Sequence, residues 1–388
     1  MLAVLAALSI SGVYVVQPLL VSMGVSFGLS AGMLGWIPTT IQIAVALTIL
    51  FVLPLGDIVD NRRLLIVMIV GQVLAMVAIG WSTSFTMFLV ASAAMGSFTI
   101  APYLLPAYAA RLTPASRRGH VTGYMARGVI LGILLARTVS GFIGAHFDWR
   151  MVYRIGALAT LVVLACSLSA MPATRPDSRL SYLGLMRSLP GLFARERALR
   201  IATLTQALMF GTFSSLWIAL GLYLQSPAYG LRSDAVGALG LLGAAAAMCA
   251  PLAGRLSDRV GARRVGLTAI ALTMLAWLFM AFFGSAMWGL CVGIVLLDIG
   301  ASSTNITKQA TLFALATESR TRRMAIYIVG QYVGAGVLAL ATVATWAHGG
   351  WFWVCMLGTV TTGLALLANC FDPGPSAGVN ASTNSYGH

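Results

Sequence analysis

Gly254-Arg255-Leu256-Ser257-Asp258-Arg259-Val260-Gly261-Ala262-Arg263-Arg264 is a short basic stretch set between two long apolar runs. A shortened copy, Gly56-Asp57-Ile58-Val59-Asp60-Asn61-Arg62-Arg63, lies in the first half of the chain. Gly56 to Gly254 and Asp60 to Asp258 are both offset by 198 positions in a chain of 388 residues. Two further apolar runs open alike, at Asp148-Trp149-Arg150 and Gly350-Trp351-Phe352, with an offset of about 202. The chain therefore reads as two related halves, with the two basic stretches in equivalent connections.

Outward from these connections the sequence is a series of apolar runs, each near the ~20 residues that cross a bilayer as a helix. They fall at about 2–24, 31–55, 64–82, 85–109, 120–145 and 151–171, then at about 201–225, 234–255, 264–283, 286–312, 323–346 and 350–371. The nearly continuous stretches 64–109 and 264–312 are each divided, at Trp81-Ser82-Thr83-Ser84 and at Gly284-Ser285, because two spans explain their length better than one. The expected fold is an all-α membrane protein with twelve transmembrane helices in two pseudo-symmetric six-helix bundles, residues 1–171 and 201–371. A cytoplasmic linker, 172–200, joins them. It places apolar groups such as Leu183, Leu185 and Leu189 among basic residues and is expected to lie at the membrane interface, partly as an amphipathic helix. The Gly-, Pro-, Ser- and Asn-rich tail, 372–388, is expected to be disordered.

Composition agrees. Only 9% of residues are charged and 59% are hydrophobic, where a soluble domain carries about 25% charged residues. Its solvent must be mostly a lipid bilayer. The net charge of +14 does not point to nucleic acid, because the basic residues cluster in short loops and form no continuous face. With the N-terminus placed inside, the inner connections hold eighteen Arg residues and the outer ones two, Arg150 and Arg232. That asymmetry puts both termini of a multi-pass membrane protein on the inner side. The first run begins at Leu2 without a charged leader or cleavage site, so no signal peptide is expected. The five cysteines lie in or at the ends of apolar runs without CxxC spacing, which fits packing residues and no metal or disulfide framework.

The loop 254–264 resembles the signature G-x-x-x-D-(R/K)-x-G-x-(R/K)-(R/K) of the major facilitator superfamily, through Gly254, Asp258, Arg259, Gly261, Arg263 and Arg264. The copy at Gly56, Asp57, Asp60, Arg62 and Arg63 lacks the inner Gly, and Asn61 replaces a basic residue. Tyr14–Leu20, Ala136–Gly141, Ala250–Gly254 and Leu297–Gly300 resemble a bacterial drug and sugar efflux branch. The resemblance covers the whole chain. It implies a secondary active transporter, working by alternating access, whose halves are related by an axis along the membrane normal. A carboxylate at Asp60 or Asp258 can pair with nearby Arg side chains and with a helix N-terminus. Contacts of that kind would act as a latch if they formed only when the halves close on the cytoplasmic side.

Ionisable groups at membrane depth are costly, ~3 kcal/mol on insertion scales, so each is a functional candidate. Asp298 is the only acid deep in a run, and it could bind and release a proton. A structural anchor is the other reading. Arg127 and Arg137 share one run and face different directions, since ten residues turn a helix by ~1000°. Either could face Asp298 or an anionic substrate. Lys308 and Arg154 lie near helix ends and are expected to snorkel. The resemblance assigns the first, fourth, seventh and tenth helices to the central path. That adds Tyr14, Gln17, Tyr103, Gln206, Phe210, Phe213, Trp217 and Asn305 to the candidate cavity, with Tyr327 and Gln331 from the eleventh. A mostly apolar site with a few polar points suits a small amphipathic or neutral compound. Pro18, Pro102 and Pro106 should bend their helices. Two positions depart from the drug-antiport pattern of the family: Ser92 stands where that pattern has an Arg, and Ile133 follows Gly132 where it has a Pro.

The expected function is proton-coupled efflux of a small molecule by a monomer. The alternatives are an uptake carrier or facilitator for a small metabolite and, more remotely, a membrane-embedded enzyme. Asp57-x-x-Asp60 faintly resembles a metal–diphosphate site, but only ten acidic residues exist to complete one. No cofactor is implied, and no phosphate-cradling Gly-Lys-Ser/Thr loop is present.

Overall fold

The computed structural model describes residues 1–174, 182–315 and 319–371, the side chains of 170 and 244–251 excepted. The described elements are α-helices and short 3-10 turns. Residues 175–181 of the expected linker and the tail 372–388 lie outside the described residues.

The first run is two helices, α1 (Leu2–Tyr14) and α2 (Val16–Phe27), bent by 43° at Val15. Pro18 has no N–H and its ring crowds the carbonyl four residues earlier, that of Tyr14, so the break falls one turn before the proline. A 3-10 turn, Ala31–Gly35, leads into α3 (Trp36–Phe51). The connection holding Asp57 and Asp60 follows, and α4 (Asn61–Gly80) begins directly after Asp60. The fourth run breaks into α5 (Phe85–Phe98) and α6 (Ala101–Arg111) at Thr99-Ile100, again just ahead of a proline, Pro102. Then come α7 (Arg118–His146) and α8 (Arg150–Ser167).

The linker forms α9 (Tyr182–Arg195), and the seventh run starts at once as α10 (Arg197–Leu224), four residues earlier than the apolar pattern suggests. Glu196 separates them and takes two hydrogen bonds from Arg323, at 2.6 and 2.7 Å. The eighth run is α11 (Ser233–Leu239) and α12 (Leu242–Val260), followed by α13 (Ala262–Phe283) and α14 (Met287–Phe313). Gly261, at φ 96°, joins α12 to α13 in a backbone conformation that favours glycine, which explains the inner Gly of the repeated loop. The last two runs form one continuous element, α15 (Arg320–Cys370), interrupted at non-helical Gly350 (φ 64°, ψ −154°).

Among the described residues nine helices are long and apolar enough to cross a bilayer, and the bent pair α1–α2 makes ten. α15 holds two of the expected runs on either side of Gly350. α12 carries Arg255, Asp258 and Arg259 in its last turns and is not among the nine.

The connections divide between two faces. One face carries the basic connections: Asp57 pairs with Arg111 at 3.1 Å, and Arg197 reaches the Phe371 carbonyl at 2.9 Å. The opposite face gathers Ser26, Ser82 and Arg150, where Arg150 bonds both serines.

Candidate functional site

Two ionisable side chains that the apolar pattern leaves inside the membrane meet at one cavity. Arg137 comes from α7 in the first half and is 1% exposed; Asp298 comes from α14 in the second half and is 4% exposed. Both line a cavity of about 250 Å³, together with Tyr14, Gln206, Phe210, Phe213 and Asn305 and with apolar walls that include Ile133 and Leu134.

Arg137 is held from behind. Its Nε donates to Gln17 Oε1 at 2.7 Å. Its guanidinium lies over the ring of Trp217 at 4.1 Å and over those of Tyr14 and Phe213 at 5.3 Å each. An aromatic box of this kind favours a cation through the ring quadrupoles. One guanidinium nitrogen, Nη2, is buried with no partner. Asp298 Oδ1 is likewise buried with no partner. Gly243 backs Asp298 so closely that a Cβ there would stand 2.9 Å from Oδ2. Gln206 donates to Gln331 at 2.9 Å and leaves its own Oε1 without a partner. Asn305 accepts from the Tyr327 hydroxyl at 2.9 Å.

The candidate residues divide accordingly. Tyr14, Arg137, Gln206, Phe210, Asp298 and Asn305 face the cavity. Gln17, Trp217, Tyr327 and Gln331 stand behind it and hold the groups that do. Tyr103 binds the Tyr332 hydroxyl, a link from α6 to α15 between the halves. Arg127 is exposed and is not among the residues that line the cavity; it lies on α7 two turns before Leu134, towards the basic face. Lys308 is buried, 6% exposed, and does not snorkel into water. Arg154 donates to the Gly80 carbonyl at 2.9 Å and stacks on Trp81 at the opposite face. Tyr332, Leu134 and Gly243 were not among the residues that span order pointed to.

The halves meet above this cavity, on the side of the opposite face. Thr39 donates to Gly336 O at 2.8 Å, Thr138 to Gly237 O at 2.9 Å, Ser233 to Gly141 O at 2.9 Å and Gln225 to Pro18 O at 3.2 Å. Glycines allow these backbones to approach: Gly141, Gly221, Gly237 and Gly336 all lie at the contacts. On the basic face, α9 touches both halves, with Tyr182 on the Phe51 carbonyl at 2.9 Å and Arg322 on Ser188 at 2.9 Å.

The repeated loops are built differently. Asp60 caps α4, accepting from the Arg62 N–H at 3.1 Å, and also takes the Thr174 N–H at 2.8 Å. Against the upward push of partial burial, the N–H groups of Thr174 and Arg62, the Thr174 hydroxyl and the Arg63 charge hold its carboxyl below the usual carboxylate range. The partners seen for Asp57 and Asp60 lie in their own half or at the start of the linker. Asp258, Arg259, Arg263 and Arg264 are exposed, and Arg263 reaches the Cys370 carbonyl at 3.2 Å.

Comparison with known proteins places this architecture. A protein of Escherichia coli O157:H7 named "Uncharacterized transporter YgaY" is 30% identical over 368 residues, covering 95% of this chain and 93% of that one. A Helicobacter pylori (strain P12) protein named "Probable sugar efflux transporter" is 24% identical over 331 residues, covering 84% of this chain and 82% of its own. The inward-open structure of the xylose transporter XylE from E. coli superposes with a TM-score of 0.74 at 16% identity, covering 97% of this chain and 96% of that chain. The family description "Major Facilitator Superfamily" matches residues 2–247 and 201–385. With its helical architecture and its matches along nearly the whole length, the chain belongs to the Major Facilitator Superfamily of membrane transporters.

Proposed function

We propose that the chain is a proton-coupled exporter of a small amphipathic or neutral compound, working by alternating access as a monomer in a bacterial inner membrane. Two six-helix bundles, 1–171 and 201–371, twelve spans in all, rock about the cavity between them, joined by the linker 172–200. Both termini and the basic face are cytoplasmic, in keeping with eighteen inner Arg residues against two outer ones. The polar contacts between the halves on the opposite-face side then describe a state closed to the outside, with the cavity on the cytoplasmic side of the seal. The exposure of Asp258 and Arg259 agrees with a cytoplasmic latch that is undone in this state.

The observation that carries the reading is Asp298. It is a buried carboxyl at the cavity wall with a free oxygen, and it faces a cation supplied by the other half. A carboxyl in that place can take a proton or release it as access changes. Efflux draws further support from the name of the Helicobacter relative.

The test is flux in liposomes. Purified protein is reconstituted, and a panel of monosaccharides and small amphipathic compounds is followed with and without an imposed pH gradient. Uphill movement of one compound only when protons flow the other way is the expected result. Flux that ignores the gradient would make the protein a facilitator.

A further inference from the structure

We infer that the cavity takes a small zwitterion of the α-amino-acid kind, its carboxylate on Arg137, its ammonium on Asp298 and an apolar side group against Leu134, Phe210 and Phe213. This deepens the reading above and rests on its assignment of the cavity as the substrate site.

Three of the residues that line the cavity each carry a buried polar atom without a partner, and together these atoms define the complement that a ligand would have to supply. Arg137 Nη2 is a cationic donor. Asp298 Oδ1 is an acceptor on an acid, and Gln206 Oε1 is a neutral acceptor. Orphaned buried groups cost free energy until something satisfies them. A ligand that satisfies all three offers an acceptor to Arg137 and donors to Asp298 and Gln206. A compound with one charge would leave the opposite charge of the protein facing only a dipole. A neutral polyol would leave both so. An ammonium and a carboxylate in one molecule neutralise both at once and form charge-assisted hydrogen bonds, the strong class. The fixed geometry also fits: Gln17 and three rings prevent Arg137 from turning away, and Gly243 sets Asp298 from behind. The cavity of about 250 Å³ has room for a molecule the size of an apolar amino acid. Ammonium and proton would also compete for the same carboxylate, which is the relation an exchanger needs.

Binding is measured on the purified full chain in detergent, with tritiated L-leucine and L-phenylalanine and no gradient. The competitors are 2-phenylethylamine, 3-phenylpropanoate and xylose. The amino acid should bind at least about 10-fold more tightly than either one-ended analogue, the scale of one charged hydrogen bond. Arg137→Gln should erase its advantage over the amine, and Asp298→Asn its advantage over the carboxylate. The comparison of ligands on the unaltered protein stands even if a variant does not fold. Binding of xylose but of neither amino acid, equal binding of the analogues, or no binding of any amino acid overturns the inference. A protein that exchanges a sugar for protons would lose this inference and keep the transport reading. One that binds the amino acid without proton-linked flux would do the reverse.

Discussion

Asp60 shows how one side chain serves two connections. It caps α4 through the Arg62 N–H and ties the first residues of the linker to the bundle through Thr174. Because its carboxyl is held below the usual range, its contribution to stability is present above the ordinary carboxylate value and is lost as pH falls through the lowered one. Asp60→Asn keeps a capping side chain and removes the charge, so it should cost about 0.5 kcal/mol at neutral pH, the scale of a carboxylate near a helix N-terminus. Thermal unfolding in detergent from pH 7 to pH 3 should show the two proteins converging in acid; a gap that stays constant would mean that the charge is irrelevant. Arg137 and Asp298 were legible as candidates because charge in an apolar run is costly and therefore rarely idle. The roles of Gln17 and Trp217 were not. They read as cavity-lining residues, but they stand behind Arg137. Each residue turns a helix by about 100°, so a span placed to within two residues does not fix which side chain faces the cavity. Tyr332 was missed for the same reason.

At the scale of elements, the breaks divide by cause. Those at Val15 and Thr99-Ile100 follow prolines at positions 18 and 102 and could be anticipated, because a proline disturbs the turn before it. The break between α11 and α12 has no proline. It lies in the stretch Gly237-Ala238-Leu239-Gly240-Leu241, where glycines tolerate many conformations and the sequence alone does not choose. This broken helix crosses α7 at the seal between the halves. A Cβ on Gly237 would stand 2.8 Å from the Arg137 carbonyl oxygen and 3.1 Å from Thr138 Cα. Both are backbone atoms and cannot swing aside. Gly237→Val should therefore hold the seal open. The readout is labelling of Ser302→Cys, at the cavity wall, with the five native cysteines replaced by alanine. A membrane-impermeant maleimide added from the outer face should react several-fold faster in the valine variant. An unchanged rate would show that the crossing does not control access.

For the whole molecule, the expectation of two related halves rests on a loop repeated at an offset of 198 residues, and the two copies differ in backbone: Asp60 starts α4 after a 3-10 turn, whereas α12 runs on to Gly261. What no repeat could supply is the relation between the halves in this state. The seal is made of backbone carbonyls and hydroxyls, Thr39, Thr138 and Ser233 among them, and such contacts leave no pattern of residue types. The cavity that results has one acid from the second half and one base from the first, and the central claim is that this acid couples proton movement to transport. The most direct test compares unaltered protein with Asp298→Asn in proteoliposomes loaded with a compound that binds the cavity. Exchange of labelled for unlabelled compound is measured without a gradient, and accumulation is measured with an inward-acid or outward-acid gradient. The account predicts that Asp298→Asn keeps exchange and loses gradient-driven accumulation. A variant that still accumulates the compound against its gradient would contradict it.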